Sequence, residues 1–192
     1  MFARAFTRIR RFFRDNRGSV SAEALIVMPL VLWAYLATYE YFDAFGTITR
    51  NMKATYTIAD AISRQTATVT PVYINGLNSL YSYLNKNPSG AWTRITCVSW
   101  DPNAGTAGQY YVMWSYGTGT EPPLDDTTLQ PYAPRLPNIT EGDTLILVET
   151  HMNYNPPFPI VGLQSQQFTQ LVVTRPRISP QIAFDPTVVP SS

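Results

Sequence analysis

The hydrophobic pattern divides the chain into a long helical half followed by a strand-rich half. From Ala24 to Tyr39 the chain reads Ala-Leu-Ile-Val-Met-Pro-Leu-Val-Leu-Trp-Ala-Tyr-Leu-Ala-Thr-Tyr, without a charge. As a helix this run extends about 24 Å, short of a hydrocarbon core of roughly 30 Å. Starting at Ser19 supplies the missing length but draws Glu23 into the membrane. Further on, Tyr39, Phe42, Phe45, Thr49, Met52, Tyr56, Ala59 and Ile62 recur at steps of three and four. No proline interrupts residues 30–70. The pattern predicts one helix from Ser19 to Arg64, about 70 Å long. Its distal stripe is expected to pack on the domain that follows, and its proximal stripe to engage other helices. Pro29 removes one helical hydrogen bond and predicts a kink or local melting inside the apolar run.

Pro71 resets the chain. Leu77, Leu80, Tyr81 and Leu84 mark a second, shorter helix, ended by Asn87-Pro88-Ser89-Gly90. The period then changes to two. Strands are predicted at Trp92–Trp100, Gln109–Tyr116, Thr144–Met152 and Phe168–Thr174, all rich in β-branched and aromatic residues. A long loop rich in Pro, Thr and Asp separates the second and third, and Asn155-Pro156-Pro157-Phe158-Pro159 separates the third and fourth. The expected fold class is α+β: a long N-terminal helix, a second helix and a four-stranded antiparallel sheet of two hairpins, one face packed on the helix. From Ser179 onward there are three prolines and no pattern, which predicts a flexible tail over 179–192.

Charge gives the long helix a direction. Residues 1–18 carry Arg4, Arg8, Arg10, Arg11, Arg14 and Arg17 against Asp15, a net +5, while the remainder sums to −4. A basic N-terminal flank places that end in the cytoplasm by the positive-inside rule. Trp33, Tyr35, Tyr39, Tyr41 and Phe42 gather at the far end, as an aromatic belt at the outer interface does. A cleavable secretory signal needs a small-x-small site after the apolar run, and Ala-Tyr-Leu-Ala-Thr-Tyr-Glu-Tyr-Phe offers none. Arg10-Arg11-Phe12-Phe13 suggests a twin-arginine signal, but no cofactor signature accompanies it. A plain anchor accounts for the apolar run and leaves Glu23 without a reason, although an acid in a membrane helix marks a candidate functional site.

The segment Arg17-Gly18-Ser19-Val20-Ser21-Ala22-Glu23 resembles the type IV prepilin processing site. That resemblance implies cleavage after Gly18 by a prepilin peptidase on the cytoplasmic face. The mature chain then begins at Ser19, with Glu23 fifth. Cleavage leaves a positive α-amino group at the head of an apolar helix, and a carboxylate one turn in can neutralise that group on a neighbouring subunit. A buried charge is tolerated when paired, and a helix N-terminus favours an acid.

Little catalytic chemistry is legible. Cys97, the single cysteine, excludes an intramolecular disulfide and reads as a small apolar strand residue. Glu149 and His151 share a sheet face by alternation, without a third metal ligand. Asp125-Asp126 suits a solvated loop or a cation. Trp100, Tyr110, Tyr111, Trp114 and Tyr116 serve packing or, where exposed, contact with sugar or protein. No nucleophile elbow or phosphate-binding glycine pattern occurs. The expectation is therefore no enzyme, no cofactor, no metal and no nucleic-acid partner.

The arginine-rich leader, the Gly18–Glu23 spacing, Met28-Pro29-Leu30, the strand Leu145–Glu149 and the closing Val173-Thr174-Arg175-Pro176-Arg177 together resemble the TadE/TadF-like family, minor pilins or pseudopilins of tight-adherence (Flp, type IVc) pilus systems. Ala24 departs from major Flp pilins, which usually carry Tyr after the Glu. The resemblance implies a leader at 1–18, a membrane helix at 19–40, a periplasmic pilin-like domain at 41–178 and the tail. It also implies partners: the prepilin peptidase, platform proteins with their secretion ATPase, other pilins and membrane lipid. The alternative is a stand-alone single-pass inner-membrane protein whose outer domain binds a ligand or envelope partner.

Overall fold

The computed structural model describes residues 19–104, 108–158 and 162–188, with side chains from residue 23 onward. Gly18 and the basic leader lie outside the described residues, as does the side chain of Ser19. The chain forms two compact units. One holds the first helix up to Asp43 together with Pro156–Gln164, and the other holds Ala44–Asn155 and Ser165–Ser192.

Helix α1 spans Ser19–Ser63 and continues through Pro29. In the first unit the side chains from Glu23 to Tyr35 are all exposed. In the second unit α1 turns a different set of residues inward: Ala44, Thr47, Asn51, Ala54, Thr55, Ile58, Ala59, Ile62 and Ser63. Of the distal stripe expected to pack on the domain, Ala59 and Ile62 are buried, but Met52 and Tyr56 are exposed. The covered face is therefore rotated from the one that hydropathy selects. Small, hydroxyl and Ile side chains make up this face, and specific polar bonds join it to the sheet and to α2. Thr55 Oγ1 and Thr150 Oγ1 lie 2.6 Å apart, and the Tyr81 hydroxyl donates to Asn51 Oδ1 at 2.7 Å.

Helix α2 spans Pro71–Leu84. The proline that resets the chain is its first residue, where a missing N–H costs nothing, and the Thr70 side chain caps it by accepting from the Tyr73 amide. Ile74, Leu77 and Tyr81 form its buried face, while Leu80 and Leu84 are more exposed.

The sheet contains β1 (Trp92–Asp101), β2 (Gln109–Gly117), β3 (Thr144–Tyr154) and β4 (Gln166–Thr174), ordered β2-β1-β3-β4. All pairings are antiparallel, so two hairpins are joined through the central β1–β3 pair. The register shifts between Cys97 and Val98, where Met113 has no partner residue on β1. Gly108, at φ +80°, starts the return into β2, and a Cβ there would overlap the Trp100 ring.

Both faces of the sheet are covered. Ile95, Cys97, Ile146, Val148 and Thr150 share the face that meets α1. The opposite face is covered by the long loop, which folds into a short helix α3 (Asp126–Leu129) and a 3₁₀ turn (Gln130–Arg135). Leu124, Leu129, Leu136 and Ile139 there close a core with Val98, Tyr110, Leu145 and Leu147. Asp125 and Thr128 form a reciprocal capping box, and the Val112 amide donates to Asp126 Oδ1 at 2.6 Å.

The segment expected to be a flexible tail is a strap over its described length. The Arg177 amide donates to the Ser63 carbonyl at 2.8 Å. Val69 exchanges backbone hydrogen bonds with Ala183 and Asp185, forming a parallel bridge opposite Phe184. Ile182 is buried, its carbonyl accepts from Trp114 Nε1 at 2.8 Å, and Phe184 stacks on the Trp114 ring. These long-range partners carry no local sequence pattern. Truncating Ile182 should therefore destabilise the domain: Ile182→Ala is expected to cost ~2–5 kcal/mol. The exposed Ile178→Ala should stay within about 0.5 kcal/mol of the parent chain. Thermal unfolding of both variants in detergent micelles checks this.

Candidate functional site

The long helix concentrates the features that point to function. Leu25, Ile26, Met28, Leu30, Val31, Leu32, Trp33 and Tyr35 leave a broad apolar surface with no protein covering it. α1 is long and apolar enough to cross a bilayer. A buried core helix would hide that surface, whereas only 6% of the apolar window is buried. Glu23 is the fifth helical residue and is exposed. It forms no ion pair or hydrogen bond with any described residue. Pro29 lies six positions further on and cannot donate to the Leu25 carbonyl, which leaves a polar backbone group inside the apolar run.

Sequence reasoning missed a second acid on the same helix. Glu40 is fully buried at the far end of the run. The Phe158 amide donates to its Oε1 at 3.3 Å, and its Oε2 has no partner among the described residues. The Phe158 ring meets Tyr39 edge-on, with centroids 6.1 Å apart. The available signal was an isolated Glu between aromatics, Tyr39-Glu40-Tyr41-Phe42, paired with an uncharged proline-rich loop far along the chain.

The remaining sequence candidates have structural roles. Glu149 and His151 do share a sheet face, but Glu149 is committed to Arg94, whose Nε donates to its Oε2 at 2.7 Å. Arg94 also reaches Glu121 Oε1, the Pro122 carbonyl and the Tyr132 hydroxyl, tying the covering loop to the sheet. Burial works against the Arg94 charge, and the bond and field of Glu149 outweigh it, so its pKa moves upward. His151 Nδ1 lies 3.0 Å from Thr169 Oγ1, and its ring stacks on Trp92. Among the described residues no group of acids, His and Cys is arranged to hold a metal ion.

Cys97 is buried, which pushes its thiol up to about 11. At neutral pH it is a protonated core group. Asp125 is lowered by the amide and hydroxyl of Thr128, as its capping role requires. Trp100 and Tyr110 pack edge to face, Trp114 is held by the strap, and Tyr111 is the most exposed of the aromatics named from the strands. Arg177 pairs with Asp60 at 3.2 Å, and Arg175 lies 3.7 Å from Asp143. The Arg-Pro-Arg close thus fastens the end of β4 on both sides.

Comparison with protein-family models, with curated proteins and with solved structures returns no match. Function must therefore be argued from the residues themselves.

The Arg94–Glu149 pair gives a direct test of how the covering loop is held. Arg94→Ala leaves Glu149 desolvated without its cation and should cost ~3–5 kcal/mol. Replacing both partners, Arg94→Met with Glu149→Leu, should recover a large part of that loss. Urea unfolding of the single and double variants in the same micelles measures the difference.

Proposed function

We propose that this chain is a minor pilin or pseudopilin, a structural subunit in the assembly of a tight-adherence (type IVc) pilus for surface attachment. The observation that carries the reading is an exposed, bilayer-length apolar helix headed by an exposed Glu23, five positions after Gly18. In this reading a prepilin peptidase cuts between Gly18 and Ser19, and the domain carried by the helix faces the periplasm. Glu23 then receives the new α-amino group of a neighbouring subunit. Platform proteins, their secretion ATPase and other pilins are the assembly partners. The chain acts as a structural component and not as an enzyme.

The shape of the hydrophobic pattern supports assembly beyond the membrane. In the second unit Phe45, Met52 and Tyr56 remain exposed at heptad-like steps, with Thr49 between them. Such spacing suits a seam for another helix. The domain's own contact uses another face, which carries Ile58 and Ile62 with Asn51 and Thr55, so the seam is free to serve a neighbour.

Processing is checked by mass spectrometry of the mature chain from cells with an active prepilin peptidase. The expected N-terminus is Ser19. An intact leader would point instead to the stand-alone membrane protein.

Glu23 tests the mechanism separately. Glu23→Ala should leave cleavage after Gly18 intact and impair incorporation, because losing one partner of a desolvated pair costs ~3–5 kcal/mol. Glu23→Asp should fall between the two. Crosslinking to co-expressed pilins and pilus yield are the readouts, and parental behaviour of both variants would refute the pairing.

A further inference from the structure

We infer that the β3–β4 connection at Phe158 is a second membrane contact, seated in the head-group boundary of the outer leaflet of the bilayer that α1 crosses. The inference rests on the membrane-spanning reading of α1. It adds a lipid-facing surface from a distant part of the chain, at a depth that the helix sets.

The depth follows from counting. Glu23 and Glu40 are seventeen residues apart, which is about 26 Å of helix rise. With Glu23 at one edge of a hydrocarbon layer of roughly 30 Å, Glu40 lies just inside the other edge. An unshielded carboxylate is costly at that depth. Glu40 is fully buried, and the Phe158 amide is one of the groups that shelter it. This hydrogen bond and the Tyr39–Phe158 ring contact tie the connection to α1 at the level of residues 39 and 40.

The chemistry of the surface matches that location. Between Glu149 and Arg175 there is no Asp, Glu, Lys or Arg. Phe158 is 36% exposed and Pro157 is exposed beside it. On the helix, Tyr39, Tyr41 and Phe42 are 51–73% exposed at the same level. Aromatic rings with polar edges favour the head-group region, where one end is apolar and the other wet. An uncharged proline–aromatic turn pinned there has lipid as its natural neighbour. A protein partner would be an alternative cover, and the experiment separates the two.

The test places an environment-sensitive fluorophore on Phe158→Cys, on Pro157→Cys (which keeps the Phe158 ring) and on Leu30→Cys. Each is made in a Cys97→Ala background, with the full chain in phosphatidylethanolamine–phosphatidylglycerol vesicles. Lipids carrying nitroxides at shallow or deep positions probe the bilayer, and iodide probes water. The expected result is that the label at Leu30 is quenched best by deep nitroxides. The labels at 157 and 158 should be quenched best by shallow ones, with severalfold less iodide quenching than a free dye–cysteine conjugate. If Leu30 is quenched by lipid while 157 and 158 respond to iodide like the free conjugate, the inference fails and the membrane reading stands. Protection of 157 and 158 from both quenchers means a protein covers them and also overturns it. Absence of lipid quenching at Leu30 removes the membrane reading, and the inference falls with it.

Discussion

The contact of α1 with the sheet and with α2, in which polar side chains are buried beside Ile58 and Ile62, is the constraint on which the domain depends. A helix normally hides its apolar stripe and shows its polar one. Here Thr47, Asn51 and Thr55 are buried, while Phe45, Met52 and Tyr56 are left outside. The Thr55–Thr150 bond to the sheet and the Asn51–Tyr81 bond to α2 act beside the buried Ile58 and Ile62 in setting the helix rotation. A buried polar group without its partner costs free energy, so these bonds specify one rotation of the helix over neighbouring alternatives. Burial pushes the Tyr81 phenol up to about 12, and its hydroxyl donates to Asn51.

That inversion also explains where sequence reading succeeded and where it stopped. The strands were legible because alternation and β-branched residues act locally, and all four lie within a few residues of where they were expected. The helical extent of α1 was legible for the same reason. Its buried face was not, because hydropathy selects Met52 and Tyr56, and nothing local marks Asn51 or Thr55 as inward. The second layer of the sheet is built from a proline-rich loop whose Leu124, Leu129, Leu136 and Ile139 follow neither period. The strap relies on Val69, Trp114 and Ser63, each far away in sequence, and proline content alone reads as looseness. Of the candidate site, Glu23 and Pro29 stand on α1 as the pattern implied. Gly18 lies outside the described residues. Glu40 escaped notice because its partner Phe158 is more than a hundred residues distant.

The two acids of the apolar helix are treated in opposite ways by their surroundings. Glu40 is enclosed and receives an amide from its own chain, so its role is internal to the subunit. Glu23 receives nothing from the described chain. An acid at a membrane edge with no internal partner either meets water or meets another molecule. The proposed assembly role follows from the second case and needs no special geometry beyond a neighbouring helix terminus. The rest of the domain complements this arrangement. Its cysteine, histidine and buried ion pair are occupied by structure, which leaves the helix surfaces as the parts open to partners.

The strap has a consequence for the order in which the domain is completed. Each hairpin can form from residues close in sequence, whereas the β1–β3 pair and the strap join distant segments and close slowly. The strap is also the outermost of these pieces, because Ile182 and Phe184 need β2, Val69 and the end of α1 already in place. It is therefore the last segment to dock and the first to detach, a local opening distinct from global unfolding. Detachment would bare the Trp114 ring and the Val69 backbone together. Until residues 177–188 dock, the domain is unfinished. That interval leaves the Val69 backbone unpaired and the seat of Ile182 open, which is where misassembly has its opportunity.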